Sequence, residues 1–316
     1  MKKILLIRFS SLGDLVILSS VLEMLKTEDV EVHLLTYSEF EPVFENDTRV
    51  GRILKLPHPY GIEDVFKIVK VLRSEKYDMV FDLQRKFLSL MLLALSGSKK
   101  FVYSNRLRER KGALKGKKIT GVPVYELYAA PVKRVLGIRK PTPCPVLQPA
   151  RVNMALPDNY IVIAPGARHR TKIWPYYGEL VRLIKTHIKG VEIFAVGDRK
   201  DHELVKPYRD DVIDMTGKTT IPELFAVISR SRLVISNDSA PMHIGSAYGV
   251  PVVAFFGPTI PEFGFRPCNA YIFETPLECR PCSLHGSETC PLGHFRCMRS
   301  IRPERVLGKI KEILRT

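Results

Sequence analysis

Two segments of the chain place polar side chains directly after a short aliphatic run. Residues 4–7 lead into a Ser-Ser-Leu-Gly-Asp turn at 10–14, and residues 233–236 lead into Asn-Asp-Ser-Ala-Pro-Met-His at 237–243. In α/β proteins the carboxyl ends of strands present carboxylates and backbone N–H groups to ligands. The sequence therefore predicts two binding sites, one in each half of the chain.

The first turn offers a carboxylate, Asp14, after Ser10, Ser11 and Gly13. A carboxylate there can accept a proton from an attacking hydroxyl and act as a general base. The same position also suits an acidic residue that stabilises a helix N-terminus. The pattern leaves both roles open.

Residues 165–175 form a second polar turn between a predicted strand and a predicted helix. Gly166 allows close backbone approach to a ligand, while Arg168 and Lys172 can neutralise a diphosphate. The alternative is an ordinary loop with solvated basic side chains.

The third turn, residues 237–243, leads into a helix that Pro241 can begin. Asp238 or Ser239 can cap this helix, whose free N–H groups would form an anion site. His243 could contact a phosphate or a ribose there, although a single helical histidine also fits a purely structural role.

Strand-like and helical periodicities alternate in both halves and predict parallel sheets. The prolines between residues 141 and 149 interrupt this alternation and indicate a linker. We therefore predict an α/β protein with an N-terminal domain at 1–148 and a C-terminal domain at 149–302. A helix at 303–316 is expected to pack back on the first domain.

The 316 residues carry a net charge of +16, which favours a polyanionic partner or a basic solvated surface. Nucleic acid is not the expected partner, because no recognition helix or aromatic platform is evident. No apolar run reaches the ~20 residues of a membrane span, and no cleavage site follows the N-terminal apolar run. A cytoplasmic location is expected.

Four of the six cysteines, Cys279, Cys282, Cys290 and Cys297, cluster near the end of the chain. Their spacing leaves three alternatives open: a structural zinc site, disulfides or free thiols.

Several motifs occur together in one order, at residues 7–14, 165–166, 172–175, 215–219, 237–243 and 249–259. This set resembles glycosyltransferase family 9, the ADP-heptose:lipopolysaccharide heptosyltransferases. The resemblance implies a GT-B fold, in which two Rossmann-like domains face each other across a cleft. It places the acceptor mainly on the first domain and the nucleotide sugar mainly on the second.

Carried over from the family, Asp14 is the general base of an inverting transfer that needs no cofactor. Lys172 and the helix start from Ser239 through Ala240 to His243 would stabilise the departing ADP diphosphate. Thr219 would lie near the base and Asp198 near the ribose. The family usually has glycine at the position where this chain has Ala240.

The acceptor implied by the resemblance is a phosphorylated lipid A–sugar precursor. Its expected contacts are the first turn and a set of basic residues: Ser10, Ser11, Gly13, Arg85, Lys86, Arg106 and Arg108. The basic stretch 106–118 would also hold the enzyme on the anionic inner face of the inner membrane. The alternative is a solvated loop.

Three other functions stay open at this stage. The chain could use a different nucleotide sugar or acceptor, or it could be a nucleotide-sugar epimerase of the same fold, which would turn over without an acceptor. A basic nucleic-acid-binding protein is a further class.

Overall fold

The computed structural model describes residues 1–152 and 154–315. The chain divides into two compact units. The first unit comprises Met1–Arg106 and Pro123–Gln148, and the second comprises Leu107–Val122 and the chain from Pro149 onward. Among the described residues, no helix has the length and apolar character needed to cross a membrane.

The first unit is built on a five-stranded sheet of order β3-β2-β1-β4-β5, with every neighbouring pair parallel. Its elements are β1 (Lys2–Ile7), α1 (Leu12–Leu25), β2 (Val30–Tyr37), a 3₁₀ turn (Ser38–Val43), β3 (Arg52–Leu56), α2 (Ile62–Ser74), β4 (Met79–Asp82), α3 (Phe87–Leu95), β5 (Lys99–Val102) and α5 (Val124–Leu136).

One face of this sheet is covered by α2 and α3. Ile68 and Leu72 of α2 and Leu88 and Leu92 of α3 pack in one core with Val80 of β4. Helices α1 and α5 contact each other. Because every strand is parallel, the carboxyl ends of β1 and β4 lie side by side and present their following loops together.

The second unit contains a six-stranded parallel sheet of order β11-β10-β9-β6-β7-β8. Its elements are α4 (Leu107–Ala113), β6 (Tyr160–Ala164), α6 (Tyr177–His187), β7 (Glu192–Ala195), α7 (His202–Val205), β8 (Ile213–Asp214), α8 (Ile221–Ser229), β9 (Val234–Asn237), α9 (Ala240–Ala247), β10 (Val252–Phe256), β11 (Ala270–Glu274), α10 (Arg296–Arg299) and α11 (Pro303–Arg315). Short 3₁₀ turns lie between several of them.

The C-terminal helix groups with the second unit, whereas the expected second domain ended at residue 302. Its expected packing on the first domain stays a prediction. Val306 and Ile310 of α11 are fully buried in the same core as Leu180 and Ile184 of α6. Each such side chain contributes about 1.5–3 kcal/mol by leaving water. Residue 316, the last of the expected helix, lies outside the described residues.

A second difference concerns the basic stretch 106–118, which was expected to lie in the acceptor domain. From Leu107 onward it groups with the second unit. The guanidinium of Arg110 lies 5.1 Å from the ring centre of Phe265, and the backbone at Gly121 lies against Glu262. Contacts with residues that are remote in the sequence determine this placement, and the composition of the stretch cannot reveal such contacts.

Candidate active site

The loop after β1 is held in place by the loop after β4. The side-chain oxygen of Gln84 accepts the backbone N–H groups of Phe9 and Ser10, at 3.1 and 3.5 Å. Buried Asp82 in turn accepts the N–H groups of Gln84 and Arg85, both at 2.8 Å. Residues that follow two neighbouring strands therefore form one rigid platform.

Asp14 lies on this platform in the first turn of α1, where Ser11 is the N-cap residue. Its Oδ2 accepts the backbone N–H of Ser11 at 3.2 Å and the Ser11 hydroxyl at 2.9 Å. The helix-capping role that the sequence allowed is thus present. Gly13 is buried in the same turn.

Two further residues bind Asp14, and neither was predicted as a site residue. Arg8 Nη2 lies 2.7 Å from Asp14 Oδ2, and the Tyr128 hydroxyl donates to Oδ1 at 2.9 Å. Arg8 also donates from Nη1 to the carbonyl of Leu83 at 2.6 Å. A capping carboxylate needs neither of these partners, so the network indicates a second role.

The network fixes the charge of Asp14. Burial alone would raise its pKa, but Arg8, the Ser11 N–H and hydroxyl, and the Tyr128 hydroxyl outweigh burial and lower it. Burial raises the pKa of Tyr128 well above its ordinary value, so this residue stays a hydrogen-bond donor. About one-fifth of the Asp14 side chain, 19%, remains exposed. Asp14 is therefore an ionised carboxylate that a ligand can still reach.

The other residues expected to bind the acceptor differ in their surroundings. Arg85 has a positive φ of 55° and donates to Asn105 Oδ1 at 3.1 Å, while Lys86 is exposed at the N-cap of α3. Arg106 is half-buried and lies at the edge of the first unit. Arg108 is exposed and groups with the second unit rather than with the first, to which it was assigned.

In the second unit, Lys172 and Asp238 form an ion pair of 2.7 Å between Nζ and Oδ2. The hydroxyl of Thr259 donates to the same Oδ2 at 2.8 Å. Fully buried Asn237 anchors the surrounding loops, because its amide donates to the carbonyl of Pro165 at 2.8 Å. Thr259 and Asn237 are functional candidates that the sequence reasoning missed.

Ser239 is the N-cap residue of α9, and Ala240 is its first residue. The Ser239 hydroxyl lies 3.1 Å from that of Ser236. His243 is buried and meets the ring of Phe265 edge-on at 6.4 Å between ring centres. Position 243 thus has the packing expected of a structural histidine, whereas Ser239 lies where an anion can approach the helix start.

The structure explains the glycine at position 166 by something other than the expected approach of a ligand. A Cβ at this position would collide with the carboxylate of Asp201, which also accepts the N–H of Asp198 at 2.8 Å. Glycine here makes room for Asp201. Asp198 itself is exposed.

Several basic side chains lie near His285. Burial lowers the pKa of His285, and nearby Lys172, Arg110, His169 and Arg168 lower it further. Arg168 is exposed, and Thr219 is half-buried in the loop after β8. This concentration of cations suits an anionic group such as a diphosphate.

The four clustered cysteines are free thiols. Cys279 Sγ lies 3.9 Å from His294 Nε2, but within residues 1–152 and 154–315 no three His, Cys, Asp or Glu side chains are arranged to hold a metal ion. Burial raises the pKa of Cys297 to about 11, which keeps that thiol protonated. The geometry matches the free-thiol alternative, and a zinc site stays a prediction.

Solved structures share the fold of these two parallel-sheet units. The chain matches an Escherichia coli ADP-heptose lipopolysaccharide heptosyltransferase II with a TM-score of 0.78 at 21% identity, over 99% of this chain and 98% of the other. It matches E. coli heptosyltransferase WaaC with ADP-2-deoxy-2-fluoro heptose with a TM-score of 0.73 at 18% identity, over 98% and 99%. The fold is therefore GT-B.

The chain belongs to glycosyltransferase family 9 (heptosyltransferase), whose model matches residues 65–294. Among curated relatives, lipooligosaccharide heptosyltransferase 2 of Campylobacter jejuni is 37% identical, and the match spans 35% of each chain. Lipopolysaccharide heptosyltransferase 3 of E. coli is 25% identical over 78% of this chain and 81% of the relative.

Proposed function

We propose that this chain is an inverting glycosyltransferase that moves a heptose from ADP-L-glycero-D-manno-heptose to the inner core of a lipopolysaccharide precursor. The observation that carries the proposal is the state of Asp14, ionised and held at both oxygens, yet partly exposed. Family membership and the names of the relatives support the choice of donor and acceptor class.

In this proposal the acceptor hydroxyl donates a hydrogen bond to Asp14 and attacks the anomeric carbon of the heptose. The bond from that carbon to the diphosphate breaks on the opposite side, which inverts the configuration. The proton passes to Asp14, whose basicity increases when the bound acceptor excludes water. Arg8 and Tyr128 keep the carboxylate oriented throughout.

Lys172 provides the positive charge for the departing ADP. In the free protein it pairs with Asp238, which Thr259 also holds. We infer that the diphosphate competes for this lysine, with Arg168 and the helix start at Ser239 nearby. Fixed cations then stabilise the charge that develops on the leaving group, so the reaction needs no added metal.

The acceptor is inferred to be a phosphorylated lipid A–sugar precursor. Arg85 and Lys86 lie in the loop after β4, on the platform that carries Asp14. They can bind the acceptor phosphates, and a cytoplasmic enzyme on the inner face of the inner membrane would meet this substrate there.

Calorimetric titration with ADP-heptose, ADP and UDP-sugars tests the donor first. We expect selective binding of ADP and ADP-heptose that survives a chelator. Transfer to a lipid A–sugar acceptor, with the anomeric configuration of the product determined by NMR, then tests the reaction. Preference for a UDP-sugar, or turnover without an acceptor, would contradict the proposal and favour another transferase or an epimerase.

A further inference from the structure

One surface of the first unit exposes large apolar side chains on two neighbouring helices. Ile62 and Phe66 of α2 are 75% and 68% exposed, and Phe87 and Leu90 of α3 are 84% and 42% exposed. We call these four residues the apolar face. Soluble proteins seldom leave such side chains grouped in water, and a grouped set marks an interaction surface.

The two helices bring these residues to one side of the unit. Both cover the same face of the sheet, since their opposite sides share one core, and they contact each other. Arg73 of α2 donates from Nε to the carbonyl of Leu95 in α3 at 3.1 Å. The four residues of the apolar face therefore belong to one contacting helix pair.

Helix α3 is unusual because its sequence, FLSLMLLAL, contains no charged residue. Leu88 and Leu92 fill the core, yet the outer side of the helix is apolar as well. A helix that is apolar on all sides is normally enclosed on all sides. The outer side of α3 is therefore expected to contact an apolar partner and not water.

The charges around the apolar face indicate what this partner is. Exposed cations lie on α2, directly before α3 and directly after it: Lys67, Lys70, Arg73, Arg85, Lys86, Lys99 and Lys100. Apolar side chains bordered by cations complement acyl chains bordered by anionic headgroups. Long basic side chains can also extend along the apolar region while their charges stay at the surface.

We propose that the apolar face inserts into the interfacial region of an anionic bilayer. This surface is distinct from the basic stretch 106–118, most of which groups with the second unit. Helix α3 starts soon after the carboxyl end of β4, and β4 pairs with β1 so that Asp82 lies opposite Ile7. Insertion would thus bring the bilayer to the sheet edge that carries Asp14.

The inference rests on the proposed function in one respect: the membrane contact would serve to reach a lipid-linked acceptor. Its test is therefore a binding measurement without donor or acceptor. The full-length protein is mixed with vesicles of phosphatidylethanolamine and phosphatidylglycerol, or of phosphatidylcholine, and the bound fraction is measured by flotation. We expect binding to the anionic vesicles.

The double variant Phe87→Ser/Leu90→Ser should lower the partition coefficient about tenfold or more, since two large apolar groups no longer leave water. Leu292→Ser is the matched control, because Leu292 is 64% exposed in the second unit, and it should bind like the wild type. Lys67→Glu/Lys70→Glu should weaken binding to anionic vesicles specifically. All three variants change exposed side chains, so thermal unfolding should be nearly unchanged.

Unchanged vesicle binding by Phe87→Ser/Leu90→Ser would overturn the inference, as would an equal loss in Leu292→Ser. A wild-type dimer that this double variant converts to a monomer in sedimentation velocity would assign the face to a second copy and would also overturn it. Loss of vesicle binding with full transfer to a delipidated acceptor would support it. If the wild type transfers no heptose, the proposed function fails while the vesicle result still stands.

Discussion

The Tyr128 hydroxyl donates a 2.9 Å hydrogen bond to Asp14 Oδ1, although the two residues are 114 positions apart in the chain. The other carboxylate oxygen of Asp14 is held by Arg8 and Ser11. A carboxylate bound at both oxygens has little freedom to rotate. Asp14 is thus oriented before any substrate arrives, which is a requirement for efficient proton transfer.

Replacement of Asp14 by Asn should lower kcat by roughly 10²–10⁴-fold, the usual contribution of a general base. The affinity for ADP-heptose should stay within about twofold, because the proposed donor contacts are made by other residues. Steady-state kinetics and calorimetry measure the two quantities.

The chain offers a matched control at Asp64. This residue occupies the same position in α2, where its Oδ2 accepts the Gly61 N–H at 2.9 Å. Asp64→Asn removes an equivalent helix cap from a helix that carries no proposed catalytic or donor-binding residue. An equal loss of kcat in both variants would mean that Asp14 acts only as a helix cap.

Tyr128→Phe should move the acidic limb of the pH profile of kcat/KM to higher pH. The hydroxyl stabilises the ionised form of Asp14, so its removal raises the pKa of that carboxyl. Tyr77→Phe is the control, since it removes another buried hydroxyl, one that lies 2.8 Å from His33 Nδ1. A lower kcat with an unmoved limb would mean that Tyr128 is only structural.

Asp14 should also contribute to acid stability. Its folded-state pKa lies below the ordinary value, so its contribution is present above the unfolded-state pKa and is lost as pH falls through the folded-state pKa. The difference in free energy of unfolding between wild type and Asp14→Asn should therefore shrink as pH falls through this range. Urea titrations at several pH values measure it, and a difference that is constant with pH would contradict the assignment.

Lys172→Met should weaken ADP binding by about 10–100-fold, the effect of one charge-assisted hydrogen bond. Because this change leaves Asp238 without its cation, the double variant Lys172→Met/Asp238→Asn should recover stability but not ADP affinity. Lys185→Met, at an exposed position of α6, serves as the control. Wild-type ADP affinity in Lys172→Met would exclude the diphosphate role.

Thr259→Val should raise the KM for ADP-heptose or lower kcat by about three- to tenfold, because one hydrogen bond to Asp238 is lost. Thr186→Val provides the comparison, since Thr186 Oγ1 donates only to the carbonyl of Arg182 within α6. Equal kinetics of Thr259→Val and wild type would show that Asp238 needs no such support.

The sequence predicts most of the central strands, because the alternation of strand-like and helical segments and the runs of aliphatic residues mark them. Strand β11 was missed, since Ala270–Glu274 lies in a region rich in turn residues. The helix at the C-terminus was predicted, but its contacts with α6 were not. An amphipathic helix shows that it has a partner without showing which one, and Val306 and Ile310 find theirs on α6.

At the site, turns after strands led to the prediction of Asp14, Lys172 and Asp238, because local patterns mark such positions. Arg8 carried a usable signal, a charge at the end of a buried strand, which requires a nearby partner. Tyr128 carried none, since its hydrogen bond depends on the packing of α5. Thr259 ends the motif at 249–259, but its partner could not be predicted, since Thr259 meets Asp238 only through the adjacency of β9 and β10.

The assignment of Leu107–Val122 to the second unit has a practical consequence for dissecting the protein. The chain leaves the first unit after Arg106, returns at Pro123 and leaves again after Gln148. A fragment ending at residue 148 would therefore carry a stretch whose partners, Phe265 and Glu262 among them, are missing. Each half must consequently be studied within the full-length chain, where an inactivating substitution can silence one site while the other stays intact.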